Sequence, residues 1–331
     1  LRQIYISTCQ EIPVTIYYAF KQTETDSDNQ TTSTGWETML SAIIGTGFSI
    51  TATWPIRTER PTGLKAFENA LASSIVLVCR KRPTDALVCT RRNFINELRR
   101  ELKPSLQKLQ RSNIAPVDLA QSAIGPGMAV YSRFSQVLEA DGSPMSVRSA
   151  LQIINHELDI FFNDQDGELD SDSRFCVDLY SQSAFNDMKF GDADILARAK
   201  NTSVDALASR GILYAQKGIV HLLGRDDIPA NVHSDEKIIW LLTQQLTRAI
   251  ETGGVAACAE AIAPMYGYNV EQAKSLAYRL FTIAERRGWA QEAFAYNSLV
   301  IAWPEIQSRA AEMRAIKPEQ GTLFDDTTKN D

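Results

Sequence analysis

The densest charge in the sequence lies between Arg80 and Arg111. Ten basic residues there (Arg80, Lys81, Arg82, Arg91, Arg92, Arg99, Arg100, Lys103, Lys108, Arg111) stand against three acidic ones (Asp85, Glu97, Glu101), a local excess of seven. Guanidinium and ammonium groups at that density could hold phosphates; a solvated helix face carries the same pattern. A second group is Arg57-Thr58-Glu59-Arg60, where Arg57 or Arg60 could meet a phosphate while Glu59 orients a donor, or where Arg57 and Glu59 merely close a strand end. Lys21 and Gln22 follow the apolar run ending at Phe20, the place where ligands approach the carboxyl ends of parallel strands. Arg133 lies beyond Gly125-Pro126-Gly127, a turn that could open a helix and offer backbone N–H groups to an anion, although a plain helical corner is the commoner use. Lys217 sits on a Lys-Gly turn.

Other chemistries find less support. Between Glu157 and Asp194 eleven acidic residues oppose only Arg174 and Lys189, a poor face for nucleic acid. The run from Asp164 to Ser173 alternates carboxylates as a calcium loop does, but Leu169 falls where the sharp-turn glycine belongs and Phe175 where the bidentate glutamate belongs, so it reads as a solvated acidic loop. The five cysteines (Cys9, Cys79, Cys89, Cys176, Cys258) never lie closer than ten residues apart and form no paired ligand motif. His156, His221 and His233 have no metal or triad spacing and read as surface or packing residues. Apolar residues make up 44% of the 331 and charged ones 22%, the balance of a water-soluble chain, and no run of about eighteen apolar residues exists to span a membrane. With no disulfide framework among the cysteines, a reducing cytoplasm is the expected compartment. The chain opens on Leu1, and a piece of something longer is expected.

The elements that would position these residues can be read in order. Val14–Phe20, Phe48–Trp54 and Ser74–Cys79 are strand-like, and the first and last are near-continuous apolar runs of the kind covered on both faces. A helix over 36–44 carries Trp36, Met39, Leu40, Ile43 and Ile44 on one stripe and stops at Gly45 and Gly47. Pro55 should end the second strand, Trp54 is expected in the core, and the last two strands, joined without a helix, should pair antiparallel. Phe94, Ile95, Leu98, Leu102, Leu106 and Leu109 make the basic stretch helical, interrupted at Pro104, like an arm leaving the sheet. Helices follow to Ala123 and from Met128, separated by Ile-Gly-Pro-Gly. From 191 to 230 two helices and a hairpin make a winged-helix-like unit, with Asn201, Thr202 and Arg210 toward a groove and Lys217 on the wing. The remainder is helical, broken near 251–254 and stopped at Gly288 and Pro304, before a polar, disordered tail over 316–331.

Four segments carry a specific likeness: residues 13–22 (Pro-Val-Thr-Ile-Tyr-Tyr-Ala-Phe-Lys-Gln), 35–40 (Gly-Trp-Glu-Thr-Met-Leu), 47–59 (Gly-Phe-Ser-Ile-Thr-Ala-Thr-Trp-Pro-Ile-Arg-Thr-Glu) and 69–80 (Asn-Ala-Leu-Ala-Ser-Ser-Ile-Val-Leu-Val-Cys-Arg). They resemble the final part of a family of large bacterial and archaeal adenine-specific DNA methylases, whose longer members carry a zinc ribbon. The likeness continues through 118–134, 139–148, 197–205 and 285–290.

The resemblance implies the closing strands and helix of a class I, Rossmann-like methyltransferase sheet over 1–83. A basic helical linker (84–116), a helical segment with an acidic loop (117–190), the winged-helix-like unit (191–230) and a helical bundle (231–315) would follow. The fold class is therefore α/β followed by mainly α. It also implies methyl transfer from S-adenosylmethionine to adenine N6, with DNA as the partner. The Asp/Asn/Ser-Pro-Pro-Tyr motif and the glycine loop that such enzymes use are absent from this sequence, so no catalytic residue is expected here and the cofactor would be bound mainly by a missing N-terminal part. Such a chain alone would be inactive, and its first strand would be an edge awaiting a partner. The competing expectation is a non-catalytic DNA- or protein-binding module of a restriction or phage-defence assembly.

Overall fold

Alternation along Val14–Tyr18, with half-buried Val14, Ile16 and Tyr18 against exposed Thr15 and Tyr17, gives strand β1 one covered face. The computed structural model describes residues 1–18, 34–57, 73–229, 238–265 and 268–316. A short helix α1 (Arg2–Ser7) precedes β1; α2 (Thr34–Gly45), β2 (Phe48–Arg57) and β3 (Ser73–Lys81) follow. The sheet order is β1-β3-β2, with β3 antiparallel to both neighbours, so β1 and β2 run parallel without touching. Ile75, Leu77 and Cys79 of β3 share one face with Tyr18 and Thr53, and onto it pack Trp36, Leu40 and Ile43 of α2, with Tyr18 and Trp36 rings 5.3 Å apart.

The opposite face is open. Tyr17 and Trp54 both stand opposite Val76, and they are 68% and 58% exposed, with Ile56 at 41%. Two expectations therefore fail. Among the described residues the first strand is an edge with one helical layer over it, not a strand covered twice, and Trp54 is outside the core. Nor does Pro55 end β2: the strand runs on to Arg57, because on an edge strand the missing N–H takes no bond from the ladder. A register shift at Thr51 frees the Ile50 N–H, which donates to the buried Ser132 hydroxyl at 2.8 Å.

The next elements are β4 (Val88–Thr90), α3 (Arg91–Arg111), α4 (Pro116–Ser132), β5 (Gln136–Leu138) and α5 (Val147–Asp166). Thr90 caps α3 by accepting from the Asn93 N–H, and Phe94, Leu98, Leu102 and Leu106, four residues apart, are all buried. So α3 is no arm or linker. It is a core helix packed on α4 and α5, and it is unbroken at Pro104.

The expected break at Ile-Gly-Pro-Gly is also absent, since α4 is one helix through Pro126. Proline deprives the carbonyl four residues earlier of its helical donor. That carbonyl, on Ser122, accepts from the Thr53 hydroxyl of β2 at 3.2 Å, so the sheet supplies what the helix lacks. Gly125 and Gly127 bring α4 against Thr53 and Ile154, where a Cβ would meet side-chain atoms at 1.8 and 2.6 Å.

Beyond Asp170 come α6 (Ser171–Ser183), β6 (Met188–Lys189), α7 (Phe190–Ala199), α8 (Val204–Ser209), β7 (Leu213–Gln216) and β8 (Ile219–Leu222), with strand order β6-β8-β7. Lys217 and Gly218, at φ 54° and 79°, make the hairpin turn, as a turn with two positive φ values demands. Three long helices close the chain: α9 (Ile239–Ile262), broken by Gly254 at φ 65° and ψ −156°, α10 (Tyr268–Arg287) and α11 (Ala290–Ile316). Pro304 does not stop α11, whose Trp303, Ile306 and Ala310 are fully buried. The expected tail beyond Ile316 lies outside the described residues.

Asp170 was expected in a solvated loop and instead joins two helices. One carboxylate oxygen accepts from the Ser173 N–H of α6 at 2.8 Å; the other accepts from the Ile239 N–H of α9 at 3.1 Å and from the Ser173 hydroxyl, which itself accepts from the Trp240 N–H. Asp170→Ala uncaps both helices. A loss of about 2 kcal/mol, twice an ordinary cap, is expected in denaturant titration; a loss indistinguishable from zero would mean that the α9 end is satisfied otherwise.

Candidate nucleic-acid interface

Parallel pairing of β4 with β5 sets Thr90 beside Leu138 and so carries Glu139 and Ala140 to the start of α3. Between them opens a cleft of about 600 Å³ whose α3 wall is Arg91, Arg92, Ile95, Asn96 and Arg99. Three of the sequence candidates thus share one cavity at a helix N-terminus, where the backbone dipole also favours an anion.

Carboxylates already occupy two of the three. Arg91 Nη1 lies 2.7 Å from Glu139 Oε2, and Arg99 Nε donates to both oxygens of the buried Glu157 at 3.0 and 2.9 Å. Arg92 is exposed and, among the described residues, has no ion-pair partner. Much of the remaining excess charge is also spent within the fold. Arg80 donates to the Glu11 carbonyl, Arg82 to the Ser132 and Phe134 carbonyls, and Lys81 sits 4.8 Å above the Tyr5 ring. Arg100 pairs with Glu97 and Glu101, and Lys103 approaches Asp164 at 3.8 Å. Sequence counting cannot register this, because Glu139 and Glu157 lie far down the chain from the arginines they hold.

The other candidates scatter. Arg133 ends α4 and grips Glu101 with two hydrogen bonds of 2.8 and 2.5 Å, which hold that carboxyl below its ordinary pKa. No anion-binding turn exists before it, because Gly125–Gly127 is helix interior. Thr202 and Arg210 both bond Asp172 of α6, Arg210 at 2.6 Å, so each is already held by a carboxylate of the same unit. Lys217 is exposed at the hairpin tip. His221, beside β6, is paired: Nδ1 lies 2.7 Å from Asp187, and the ring stacks on Tyr214 at 4.9 Å. Arg57 is the last residue of β2, while Lys21, Glu59 and Arg60 lie outside the described residues.

Among the described residues no helix is long and apolar enough to cross a membrane, and no three His, Cys, Asp or Glu side chains cluster to hold a metal ion. Residues 170–323 match a family model described as a domain of unknown function (DUF8807). The match begins on Asp170, the residue that caps α6 and α9. No curated protein and no solved structure matches the chain.

Proposed function

We propose that this chain is the closing part of an adenine-specific DNA methyltransferase. The sheet would belong to the domain that moves a methyl group from S-adenosylmethionine to adenine N6, and the α3 cleft would hold the DNA backbone. The observation that carries the reading is the order β1-β3-β2, a strand-helix-strand unit finished by a strand antiparallel to both neighbours. The outer edge of β1 is where the rest of such a sheet would lie, and its helices would cover the apolar face bearing Tyr17, Trp54 and Ile56. The residues of the α3 cleft do not fit S-adenosylmethionine: the cavity takes nothing from β1 or β2 and offers arginines rather than a close backbone turn. No cofactor contact is assigned to this chain.

The segment 191–230, with α7, α8 and the β7–β8 hairpin, reads as a winged-helix-like unit packed on α6. With Thr202 and Arg210 held by Asp172, and Asp192 and Asp205 on its surface, it suits contact with protein better than entry into a groove.

Methyl transfer is the test. The natural polypeptide carrying this chain, given methyl-labelled S-adenosylmethionine and unmethylated DNA, should label adenine N6; label on no DNA offered would defeat the reading. Within it, Arg92→Glu should raise the KM for DNA severalfold at constant kcat and flatten the salt dependence by about one unit of slope, as expected for one lost phosphate contact. Glu139→Gln, which releases Arg91, should lower that KM. A second reading, a binding module without transfer, draws on the fact that the described residues already form the whole cleft; it requires salt-dependent DNA binding by the chain alone.

A further inference from the structure

Near its C-terminal end α3 turns a polar face toward α10, and a second cleft of about 290 Å³ lies between them. Lys274 forms its floor and is only 5% exposed. Its Nζ donates to Asn113 Oδ1, and no other partner of that amine is found among the described residues. An ammonium carries three donors, so two remain for a group in the cleft. Burial lowers the Lys274 pKa, opposed by the nearby Glu271. Three neighbouring groups are committed elsewhere: the Tyr278 hydroxyl donates to the Ile114 carbonyl at 2.5 Å, Glu271 accepts from Gln307 at 2.7 Å, and Gln272 donates to the Glu168 carbonyl. Arg111, on the α3 wall, is exposed and has no partner among the described residues.

We propose that this cleft binds a small oxyanion, whose oxygens accept the two remaining Lys274 donors while Arg111 supplies the second cation. Phosphate, sulfate and carboxylate groups share the needed chemistry, and the volume admits any of them. The ligand would join α3, which packs on the sheet-bearing layers, to α10 of the helical bundle. This site stands apart from the α3 cleft and does not depend on the methyltransferase reading.

Sulfate is the probe, because it keeps its double charge across the working pH range. Calorimetric titration of the full chain with sodium sulfate should give saturable binding that sodium chloride at matched ionic strength does not. Arg111→Gln should weaken it about tenfold, a loss of about 1.4 kcal/mol, and Lys274→Gln should remove it. Arg111 is on the surface, so its variant reports even if Lys274→Gln folds poorly. Because the bound anion favours the charged amine, affinity should fall as pH rises through the lowered Lys274 pKa. The other charged groups around the cleft are Arg111 of α3, Glu271 of α10 and Glu168 before α6. Competition by a mononucleotide, lost in the same variants, would identify the oxyanion as a phosphoryl group of a larger ligand; sulfate binding without such competition would identify a free ion. Binding no stronger than chloride's, or equal in the parent and both variants, would overturn the proposal.

Discussion

Gly125→Ala is expected to destabilise the protein by about 3 kcal/mol or more, at the upper end of what inserting one methyl into a packed interior costs. The new Cβ would lie 1.8 Å from Thr53 Oγ1 and 2.6 Å from Thr53 Cβ and Cγ2. Threonine has little χ1 freedom with which to escape, and this hydroxyl is held by its bond to the Ser122 carbonyl. Relief must come from moving α4 off β2. That would part Ser132 from the Ile50 N–H and Thr53 from Ser122 at once, exposing the two polar defects, the strand bulge and the helical proline, that each element now covers for the other.

Denaturant unfolding with two companions isolates this cause. Gly191→Ala, in α7 with open space around its Cβ, should be neutral or stabilise by up to about 1 kcal/mol through the unfolded chain. Thr53→Ala removes the closest contact, so Gly125→Ala/Thr53→Ala should lose less than the sum of the single losses. Strict additivity would mean that the glycine is needed for something other than this contact.

The same site explains what could and could not be read from the residues alone. The α3 stripe of Phe94, Leu98, Leu102 and Leu106, the antiparallel β2–β3 pair and the Lys217-Gly218 turn are local patterns, and each folds as its spacing says. Pro104, Pro126 and Pro304 read as helix breaks in the sequence because propensity counts only the chain's own bonds. At Pro126 a hydroxyl from another element pays the missing bond, and no window of sequence contains both. Trp54 and the first strand went wrong in the opposite sense: apolar character promised burial, whereas burial depends on whether a second layer stands over the sheet. The candidate cleft was half legible. Its arginines are visible as charge, but not the carboxylates that hold two of them; at the second cleft Arg111 is visible in the same way, but not that Lys274, 163 positions along the chain, meets it.

The largest effect expected in the C-terminal half is at Arg225, just past the hairpin. Its guanidinium bonds both Glu292 oxygens at 3.0 and 2.6 Å, Nε donates to Gln244 at 3.2 Å, and its carbon lies 5.0 Å from the Tyr296 ring centre. Tyr180 of α6 donates to the same Glu292 at 3.2 Å, so one part-buried network holds α6, the hairpin, α9 and α11 together. Arg225→Met keeps the volume and leaves the Glu292 carboxylate, 19% exposed, with a single phenol donor. Breaking a fully buried pair in this way costs about 3–5 kcal/mol, and the partial exposure of Glu292 puts the expected loss toward the lower end of that range. The double variant Arg225→Met/Glu292→Leu should therefore recover most of the loss, and a double as unstable as the single would show that the hydrogen bonds to Gln244 and Tyr180 matter more than the stranded charge. Burial also raises the Tyr180 pKa far above the ordinary phenol range, and that of Tyr296 to about 12. Both raised values mean stability that is complete below the unfolded phenol's pKa of about 10 and is lost as pH climbs through the folded ones, so this network contributes to the loss of stability in alkali.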